Sequence, residues 1–441
     1  MLPTEHADQE MNDLLIQEAQ RQQDELSLIP SENYVSRTVR EVTGSVITNK
    51  YAEGYPGKRY YAGNEIVDKV ETLVQMRAQK LFNVPFVNVE AYSGSPANLA
   101  VYLATCEPGD VVMGLDLSSG GHLTHGWKNS ITGQFWKSVP YHVTPDGQID
   151  FDELARLAKE HKPKLIWCGG TALPRTLDFA RFAAIAHEVG AILAADISHI
   201  AGLIVGGEHP SPVDYAHIVT TTTHKTLRGP RGALIMVTHK GLQHDATLGE
   251  KIDRAILPGL QGGPHENVIA AIGVALHEAA QPAFKTYAQQ IVKNARALAD
   301  ALQKHQFTLV SGGTDNHLLL LDLTSDGPGR GAFLHLALER IGLTTNKNTI
   351  PNEPSSPFYP SGLRLGTPAA TTRGMQEQEM QRLADWIKQT YDYIKHLQLP
   401  VDKLERAESL NAFKKTLNDD AFYAKLRTEV TTFCGQFPVP K

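Results

Sequence analysis

The feature that most limits the possible folds is a series of short apolar runs separated by segments with helical spacing. The runs are VVMGL (111–115), KLIWC (164–168), AILAAD (191–196), HIVTTTT (217–223) and ALIMVT (233–238). Because consecutive positions are apolar, both faces of each strand are expected to be buried. Helical sequence lies between several of them, as in FARFAAIAHEVG (179–190), which Gly190 closes as a C-cap. The pattern predicts an α/β fold around a large, mostly parallel sheet.

The 441 residues are enough for two or three domains. Residues 1–27 contain many Glu, Gln and Asp side chains and few apolar ones, which predicts an exposed N-terminal helical arm. We assign residues 28–285 to the large domain and 286–441 to a smaller C-terminal α+β domain. The boundary is placed inside a long helical stretch, roughly 266–305, that Pro282 interrupts.

Composition excludes several classes of partner. The net charge is −6 and no stretch is strongly basic, so neither nucleic acid nor a membrane surface is an expected partner. Asp196 and His199 interrupt the longest apolar stretch before it could span a bilayer. The three cysteines are widely spaced and the first residues lack the features of a secretory signal, so we expect a cytoplasmic location. No metal is expected, because HExxH and CxxC spacings are absent.

A lysine at a predicted strand end is the first candidate for chemistry. Lys225 lies in TTTTHKTLRGPRG (220–232), where the nearby Arg228 and Arg231 would disfavour its protonated form. A lysine kept neutral in this way can attack a carbonyl group. An ordinary loop with a basic cluster is the alternative interpretation.

Asp196 ends another predicted buried strand, 29 residues before that lysine. A carboxylate in such a position needs a partner, because an unpaired buried charge is costly. His199 follows within one turn and could stack on a flat ring. The alternatives are a helix N-cap for Asp196 and a core histidine for His199.

Two further segments could bind anions. In YSGSPANLA (92–100), small residues and Pro96 begin a helix whose free N–H groups would form a phosphate cup. In SGLRLGTPAATTRG (361–374), Arg364 lies among apolar and small residues, where a guanidinium usually pairs with a planar anion such as an amino-acid carboxylate. An ordinary capped helix and a structural ion pair are the alternatives.

Together the four elements match the parts of pyridoxal 5'-phosphate and an amino-acid substrate. The cup would hold the phosphate, Asp196 the pyridinium nitrogen, Lys225 the aldehyde, and Arg364 the substrate carboxylate. The combination therefore indicates a pyridoxal-phosphate enzyme with Lys225 as its Schiff-base lysine.

The sequence resembles the serine hydroxymethyltransferase family from residue 28 to about 375. The matching blocks are LIPSENYVS (28–36), TNKYAEGYPGKRYYAGNEIVD (48–68), SGSPANLAVY (93–102), SSGGHLTHG (118–126), ISHIAGL (197–203), TTTHKTLRGPRG (221–232), PGLQGGP (258–264), SGGTDNHLLLLDL (311–323), NKNTIP (346–351) and SPFYPSGLRLGTPAATTRGM (356–375). The resemblance implies a fold-type I pyridoxal-phosphate transferase, a homodimer or dimer of dimers with shared active sites. It further implies reversible transfer of the hydroxymethyl carbon of serine to tetrahydrofolate, giving glycine and 5,10-methylenetetrahydrofolate.

The resemblance also implies a role for each matched site residue. Catalytic roles would fall to Lys225, Glu53, His224, Asp196, His199 and Tyr61. Cofactor binding would involve Tyr51, Ser93, Gly94, Ser95, His122, Thr171, Asp196, His199, Thr222, His224 and Lys225, with Gly262 and Gly263 from the other subunit. Substrate binding would involve Ser31, Glu53, Tyr60, Tyr61, Leu117, Gly121, His122, Leu123, Asn348, Ser356, Pro357, Phe358 and Arg364. Among these, Glu53 is the expected acid or base that also contacts the folate.

Six positions depart from the usual family sequence, namely Tyr92, Pro96, Thr171, Leu173, Ser198 and Asn352. Thr171 keeps a hydroxyl that could bind the cofactor's phenolic oxygen, so the departures bear more on folate than on the cofactor. The nearest competing function is a folate-independent retro-aldolase, such as a threonine aldolase or an α-methylserine enzyme. Two more distant possibilities are a metal-dependent hydrolase using His122, His125, Asp196 and His199, and a non-catalytic binding protein.

Overall fold

The structure is a computed structural model that describes residues 8–440. Its helices are α1 (Gln9–Asp24), α2 (Arg37–Thr43), α3 (Glu65–Phe82), α4 (Gly94–Thr105), α5 (Ile131–Phe135), α6 (Phe151–His161), α7 (Phe179–Val189), α8 (Ala201–Gly206), α9 (His239–His244), α10 (Leu248–Arg254), α11 (Glu266–Ala279), α12 (Pro282–Lys304), α13 (Arg330–Ile341), α14 (Pro368–Thr372), α15 (Glu377–Ile394), α16 (Glu405–Thr416) and α17 (Ala421–Gln436). Between residues 8 and 440, no helix is both long and apolar enough to cross a membrane.

The strands of the same region are mostly short. They are β1 (Leu26–Ser27), β2 (Gly54–Tyr55), β3 (Lys58–Arg59), β4 (Phe86–Asn88), β5 (Val111–Leu115), β6 (Lys137–Tyr141), β7 (Leu165–Cys168), β8 (Ile192–Asp196), β9 (Ile218–Thr222), β10 (Ala233–Val237), β11 (Thr308–Leu309), β12 (Leu318–Asp322), β13 (Leu343–Thr344), β14 (Asn346–Asn348) and β15 (Gly362–Gly366).

The main sheet has the strand order β4-β10-β9-β8-β7-β5-β6. Strands β9, β8, β7, β5 and β6 run parallel, and β10 is antiparallel to both of its neighbours. Successive residues of a strand enter different cores: Ile192 and Ala194 pack on one side of the sheet, and Leu193 and Ala195 on the other. Burial on both faces confirms the expectation drawn from the apolar runs, and the α/β fold with a mostly parallel sheet is confirmed.

A smaller antiparallel sheet follows, with the strand order β11-β12-β15-β14. Its core also includes residues of α13, α15 and α17. Helix α12 connects the two regions, because Ile291 packs into a core of the main sheet and Leu298 into that of the smaller one. Pro282 occupies the first turn of α12, where proline is tolerated. The domain boundary near residue 285 stays a prediction.

The N-terminal segment docks onto the C-terminal part of the chain. Helix α1 has no buried residue, as the arm prediction requires, but Leu26 pairs with Leu343 and is fully buried. The buried Arg373 donates hydrogen bonds to backbone carbonyl oxygens of both chain ends, at Gln22, Gln23, Glu25, Cys434 and Phe437. One guanidinium therefore ties the first and last described helices together.

Candidate active site

A cavity of about 310 Å³ opens beyond the carboxyl ends of β8 and β9. This is where parallel α/β sheets usually bind ligands. The cavity is lined by Ser31, Gly94, His122, His125, Gly170, Thr171, Asp196, Ser198, His199, Thr222, Lys225, Asn348 and Arg364. The structure thus brings together residues from both sheets, and most of them were candidates from the sequence.

Lys225 follows the last residue of β9 by three positions and is half-buried. Its Nζ donates a hydrogen bond to Thr222 Oγ1 at 2.7 Å, and its backbone carbonyl oxygen accepts one from Asn33 at 3.0 Å. Burial lowers the pKa of Lys225 to about 8, against the opposing effect of Asp196 and with help from the positive charges of Arg364 and Arg231. The amine is therefore prepared to act as a nucleophile near neutral pH.

The expected contribution of Arg228 to this shift is not found. Its guanidinium donates to the carbonyl oxygen of Tyr34 and lies over the ring of Tyr287, 5.3 Å from the centroid. The second positive charge that lowers the lysine pKa belongs to Arg364, which β15 of the smaller sheet supplies. Sequence proximity was misleading here, because the chain turns the side chain of residue 228 away from residue 225.

Asp196 is the last residue of β8, and its side chain is 9% exposed. One carboxylate oxygen accepts a hydrogen bond from Asn98 Nδ2 at 2.9 Å and is 3.2 Å from His125 Nε2, while the other accepts from the Ser198 N–H at 3.0 Å. Burial raises the pKa of Asp196, but the hydrogen bond and charge of His125 outweigh it and hold the pKa well below its usual range. The cavity therefore contains a fixed negative charge at the sheet edge.

The start of α4 is where the sequence predicts a phosphate cup. Ser93 occupies the N-cap position in an extended conformation, and its side chain makes no capping hydrogen bond. The first N–H groups of the helix, at Gly94 and Ser95, have no partner within the helix. Gly94 lies against β9, where an added Cβ would come within 2.7 Å of Thr222 Cγ2. The start of α4, the end of β9 and the Lys225 cavity therefore meet at Gly94. Because this residue has no side chain, an anion can approach the backbone N–H groups there.

Arg364, on β15 of the smaller sheet, also lines the cavity. Its guanidinium donates to the carbonyl oxygen of Thr171 and, at 3.1 Å, to Asn346 Oδ1. Burial lowers the pKa of Arg364 to about 10, yet no carboxylate of the described chain forms an ion pair with it. A buried guanidinium without a protein anion is suited to a carboxylate ligand. The structural ion pair considered as an alternative is not found within residues 8–440.

Two histidines line the wall next to Asp196. The ring of His125 stacks on Trp167 with 5.2 Å between centroids. This stacking fixes the plane of the imidazole that pairs with Asp196. The Nδ1 of His122 lies 2.7 Å from Thr124 Oγ1, and burial lowers the pKa of His122 to about 4.

The His, Cys, Asp and Glu side chains of residues 8–440 form no group of three arranged to hold a metal ion, so this part of the chain does not support the hydrolase alternative.

A second group of predicted site residues lies outside this cavity. Tyr51 and Tyr61 are exposed and meet edge to face, 5.0 Å between centroids, and Tyr51 donates to the Glu53 carboxylate at 3.0 Å. Gly262 and Gly263 lie beside them, since added Cβ atoms would be 3.0 Å from Glu53 Oε1 and 3.4 Å from the Tyr51 ring. We call these five residues the loop cluster; none of them lines the Lys225 cavity, and neither does the exposed Tyr60.

Of the remaining predicted residues, Asn348 lines the Lys225 cavity, and His224 and the other predicted folate contacts do not. His224 lines an adjacent cavity of about 590 Å³ together with Ser31 and Arg231, and burial lowers the pKa of His224 to about 3. The predicted folate segments are close together, because Thr349 Oγ1 donates to the carbonyl oxygen of Ser118 at 3.3 Å. Of the predicted folate contacts, Asn348 lines the Lys225 cavity and the others, Leu117, Gly121, Leu123, Ser356, Pro357 and Phe358, do not.

The departures from the usual family sequence are accommodated locally. Tyr92 stacks on His265 with 4.0 Å between centroids and donates to the carbonyl oxygen of Gly263 at 2.6 Å. Pro96 fits the first turn of α4. Asn352 adopts φ 56°, a left-handed conformation that asparagine tolerates better than an aromatic residue. The hydroxyl of Thr171 donates to the carbonyl oxygen of Gly120 at 3.2 Å, so it is already engaged in this structure.

Several residues of the site were not identified as such from the sequence. Asn98 and His125 hold Asp196, Asn33 holds the backbone at Lys225, and Ser198 accepts a hydrogen bond from the Thr222 N–H at 3.0 Å. Asn98 is an interior residue of α4, where a buried amide among small apolar residues was the available signal. The others depend on contacts between distant parts of the chain, which residue spacing does not reveal.

Comparison with known proteins gives a consistent result. A family model described as serine hydroxymethyltransferase matches residues 4–387. A serine hydroxymethyltransferase of Sorangium cellulosum is 53% identical over 436 residues, 98% of this chain and 95% of the relative. Enzymes of the same name from Acidothermus cellulolyticus and Phenylobacterium zucineum are 56% and 52% identical, over 85% and 93% of this chain and 86% and 94% of their own lengths.

Proposed function

The chain belongs to the serine hydroxymethyltransferase family, and on this basis we propose which of its residues carry out the reaction. The enzyme transfers the hydroxymethyl carbon of serine to tetrahydrofolate and uses pyridoxal phosphate as its cofactor. The single observation that carries the assignment of residues is the cavity in which Lys225, Asp196 and Arg364 meet at the N-terminus of α4.

The residues of this cavity fit pyridoxal phosphate. Lys225 would hold its aldehyde covalently, Asp196 would pair with its ring nitrogen, and Gly94, with Ser93 and Ser95 beside it, would bind its phosphate. His199 would lie on the ring face, with His122, Thr171 and Thr222 around the edge. The low pKa of Asp196 supports this role, because a permanently ionised carboxylate keeps a ring nitrogen protonated.

When bound, the cofactor supplies an electron-accepting ring that stabilises the electron pair left by cleavage of the serine Cα–Cβ bond. The protein residues then have to orient the substrate and move protons. Arg364 and Ser31 would bind the substrate carboxylate and thereby fix which bond is broken. Glu53, assisted by Tyr60 and Tyr61, would hold or move the proton on the hydroxymethyl oxygen, and His224 would act beside the lysine. Leu117, Gly121, Leu123, Asn348 and the 356–358 segment would contact the folate.

The residues of the loop cluster can take part in cofactor binding and catalysis if they act in the active site of a second copy of the chain. The cluster combines a half-buried carboxylate, two exposed tyrosines and two glycines, outside the cavity of its own chain. We therefore propose a homodimer, or a dimer of dimers, in which Tyr51, Glu53, Gly262 and Gly263 complete the partner's site. We also propose a cytoplasmic location, which the three free cysteines support.

A mixing experiment tests the shared site. Lys225→Ala and Glu53→Gln variants should each be inactive in serine cleavage with tetrahydrofolate. After unfolding and refolding together in equal amounts, about a quarter of the wild-type activity should return, because half of the random dimers carry one intact site. Refolding each variant alone is the matched control. If the mixture stays inactive although mixed dimers form, Glu53 does not act across the interface.

The same assay separates the folate reaction from the retro-aldolase alternative. Serine cleavage by the wild type should require tetrahydrofolate, whereas a folate-independent aldolase would cleave its substrate equally well without it. The names of the relatives favour the transferase.

A further inference from the structure

A pair of buried histidines connects the two sheets behind the Lys225 cavity. His199 lies in the turn after β8, and His317 immediately precedes β12 of the smaller sheet. The His199 Nδ1 is 3.2 Å from the His317 Nε2, the ring centroids are 5.4 Å apart, and the two ring planes are inclined by 30°, so the rings meet edge to edge. The two residues are 5% and 0% exposed, so water does not replace this contact from outside.

Both rings are neutral near pH 7. Burial lowers the pKa of His317 to about 3, and it lowers the pKa of His199 well below the usual range, with Lys225 and Arg364 acting in the same direction. Each neutral imidazole carries one N–H, so a single proton lies between the two facing nitrogens. The question is which nitrogen carries it.

The surroundings of His317 favour one answer. Its Nδ1 is buried and has no hydrogen-bond partner among the described protein atoms. A proton there would be a buried donor without a protein acceptor, a rare and costly arrangement. The proton of His317 is therefore better placed on Nε2, from which it is donated to the Nδ1 of His199. The proton of His199 then has to be on its own Nε2.

The backbone at His317 is held by several hydrogen bonds. The backbone carbonyl oxygen of His317 accepts a hydrogen bond from the Thr367 N–H at 3.1 Å. The neighbouring Asn316 donates to the carbonyl oxygen of Leu173 at 2.9 Å and accepts from the Leu318 N–H at 3.0 Å. The start of β12 is thus fixed to both the smaller sheet and the loop after β7.

We propose that His317 is a positioning residue that fixes the ring plane and the tautomer of His199, so that the cavity receives an N–H donor at His199 Nε2. This inference rests on the proposed function, in which His199 lies on the ring face of the cofactor. His317 itself does not line the Lys225 cavity. The Nε2 of His199 makes no hydrogen bond to the described protein atoms, and His199 lines the cavity.

Neutron diffraction from deuterated holoenzyme crystals tests the tautomer directly. The expected result is a deuteron on Nε2 of both His199 and His317. A deuteron on Nδ1 of His199 would overturn the inference, and this measurement needs no variant.

Variants of His317 test whether the pair positions the cavity residue. His317→Leu should shift the visible absorption maximum of the bound cofactor and speed its loss by about tenfold, the worth of one buried hydrogen bond. His317→Gln can still donate from a nitrogen near the original Nε2, so it should restore cofactor retention to within about twofold. The matched control is His217→Leu, which removes another buried ring that accepts a hydrogen bond from Leu193 at 3.0 Å, away from the cavity.

The control should lower thermal stability without changing the absorption maximum or the retention of the cofactor. An unchanged absorption maximum and unchanged retention in His317→Leu would overturn the positioning role while leaving the proposed function intact. A wild-type protein that binds no pyridoxal phosphate would overturn both.

Discussion

Replacement of Glu266 by glutamine should stabilise the protein, and more so as the pH rises. Glu266 begins α11, is 1% exposed, and neither of its carboxylate oxygens has a hydrogen-bond partner among the described atoms. It lies near a cluster around the buried Arg59, which forms ion pairs with Asp68, Glu71 and Glu90. One guanidinium thus serves several carboxylates, and Glu266 is left without a partner.

The size of the expected stabilisation follows from the pKa of Glu266. Burial, reinforced by the charge of Glu71, raises the pKa of Glu266 from 4.5 to about 8. Because the folded state holds this proton more tightly than the unfolded chain, stability falls as the pH rises from 4.5 to 8 and the loss is complete above 8. A shift of this size corresponds to at most about 5 kcal/mol, and relaxation around the ionised group should reduce the measured effect to about 2–4 kcal/mol.

Urea unfolding at about pH 5 and pH 9 measures the effect, at one protein and cofactor concentration because ligand binding shifts apparent stability. Glu266→Gln should differ little from the wild type at the lower pH and unfold at clearly higher urea at the higher pH. Glu250→Gln removes a carboxylate whose side chain is 78% exposed, so it should change the midpoint little at either pH. An equal effect of Glu266→Gln at both pH values would show that Glu266 is already ionised in the folded protein.

Three further predictions concern the site and the chain ends. Asn98→Ala removes a 2.9 Å hydrogen bond to Asp196, so equilibrium dialysis should find pyridoxal phosphate bound about tenfold more weakly; equal affinity would contradict the role of Asn98. Capture of the cofactor by the apoenzyme should speed up as the pH rises towards 8 and level off above it, because only the neutral Lys225 amine reacts; a stopped-flow rate that keeps rising about tenfold per pH unit through about pH 9, without levelling off, would refute the lowered pKa. Arg373→Met removes hydrogen bonds to both chain ends and should lower the free energy of unfolding by about 3 kcal/mol or more, with faster proteolysis of α1; unchanged proteolysis would indicate that the ends are held by other contacts.

The sequence was most informative where one local rule applies to a whole element. The run 233–238 became β10 (Ala233–Val237), and the run 191–196 became β8 (Ile192–Asp196), because strands buried on both faces have a continuous apolar pattern. Strands β4 and β6 were not predicted. The first has three residues, and the second, KSVPY, contains Pro140 at the edge of the sheet, where the apolar pattern is weak.

The site was partly predictable for the same reason. Lys225 and Asp196 are at strand ends, and Gly94 at a helix start, so topology alone brings them together. The partners that tune them come from elsewhere: Arg364 crosses from the smaller sheet, and His125 reaches Asp196 across the cavity wall. Such contacts depend on tertiary packing and leave no periodic trace in the sequence.

The visible spectrum of the purified protein, before and after addition of glycine and then tetrahydrofolate, shows most directly whether the Lys225 cavity is the active site. We expect a cofactor band in the wild type that Lys225→Ala lacks, and a new band that appears only when glycine and tetrahydrofolate are both present. A protein that stays colourless after incubation with pyridoxal phosphate, or a Lys225→Ala variant with the wild-type spectrum, would contradict the assignment of this cavity.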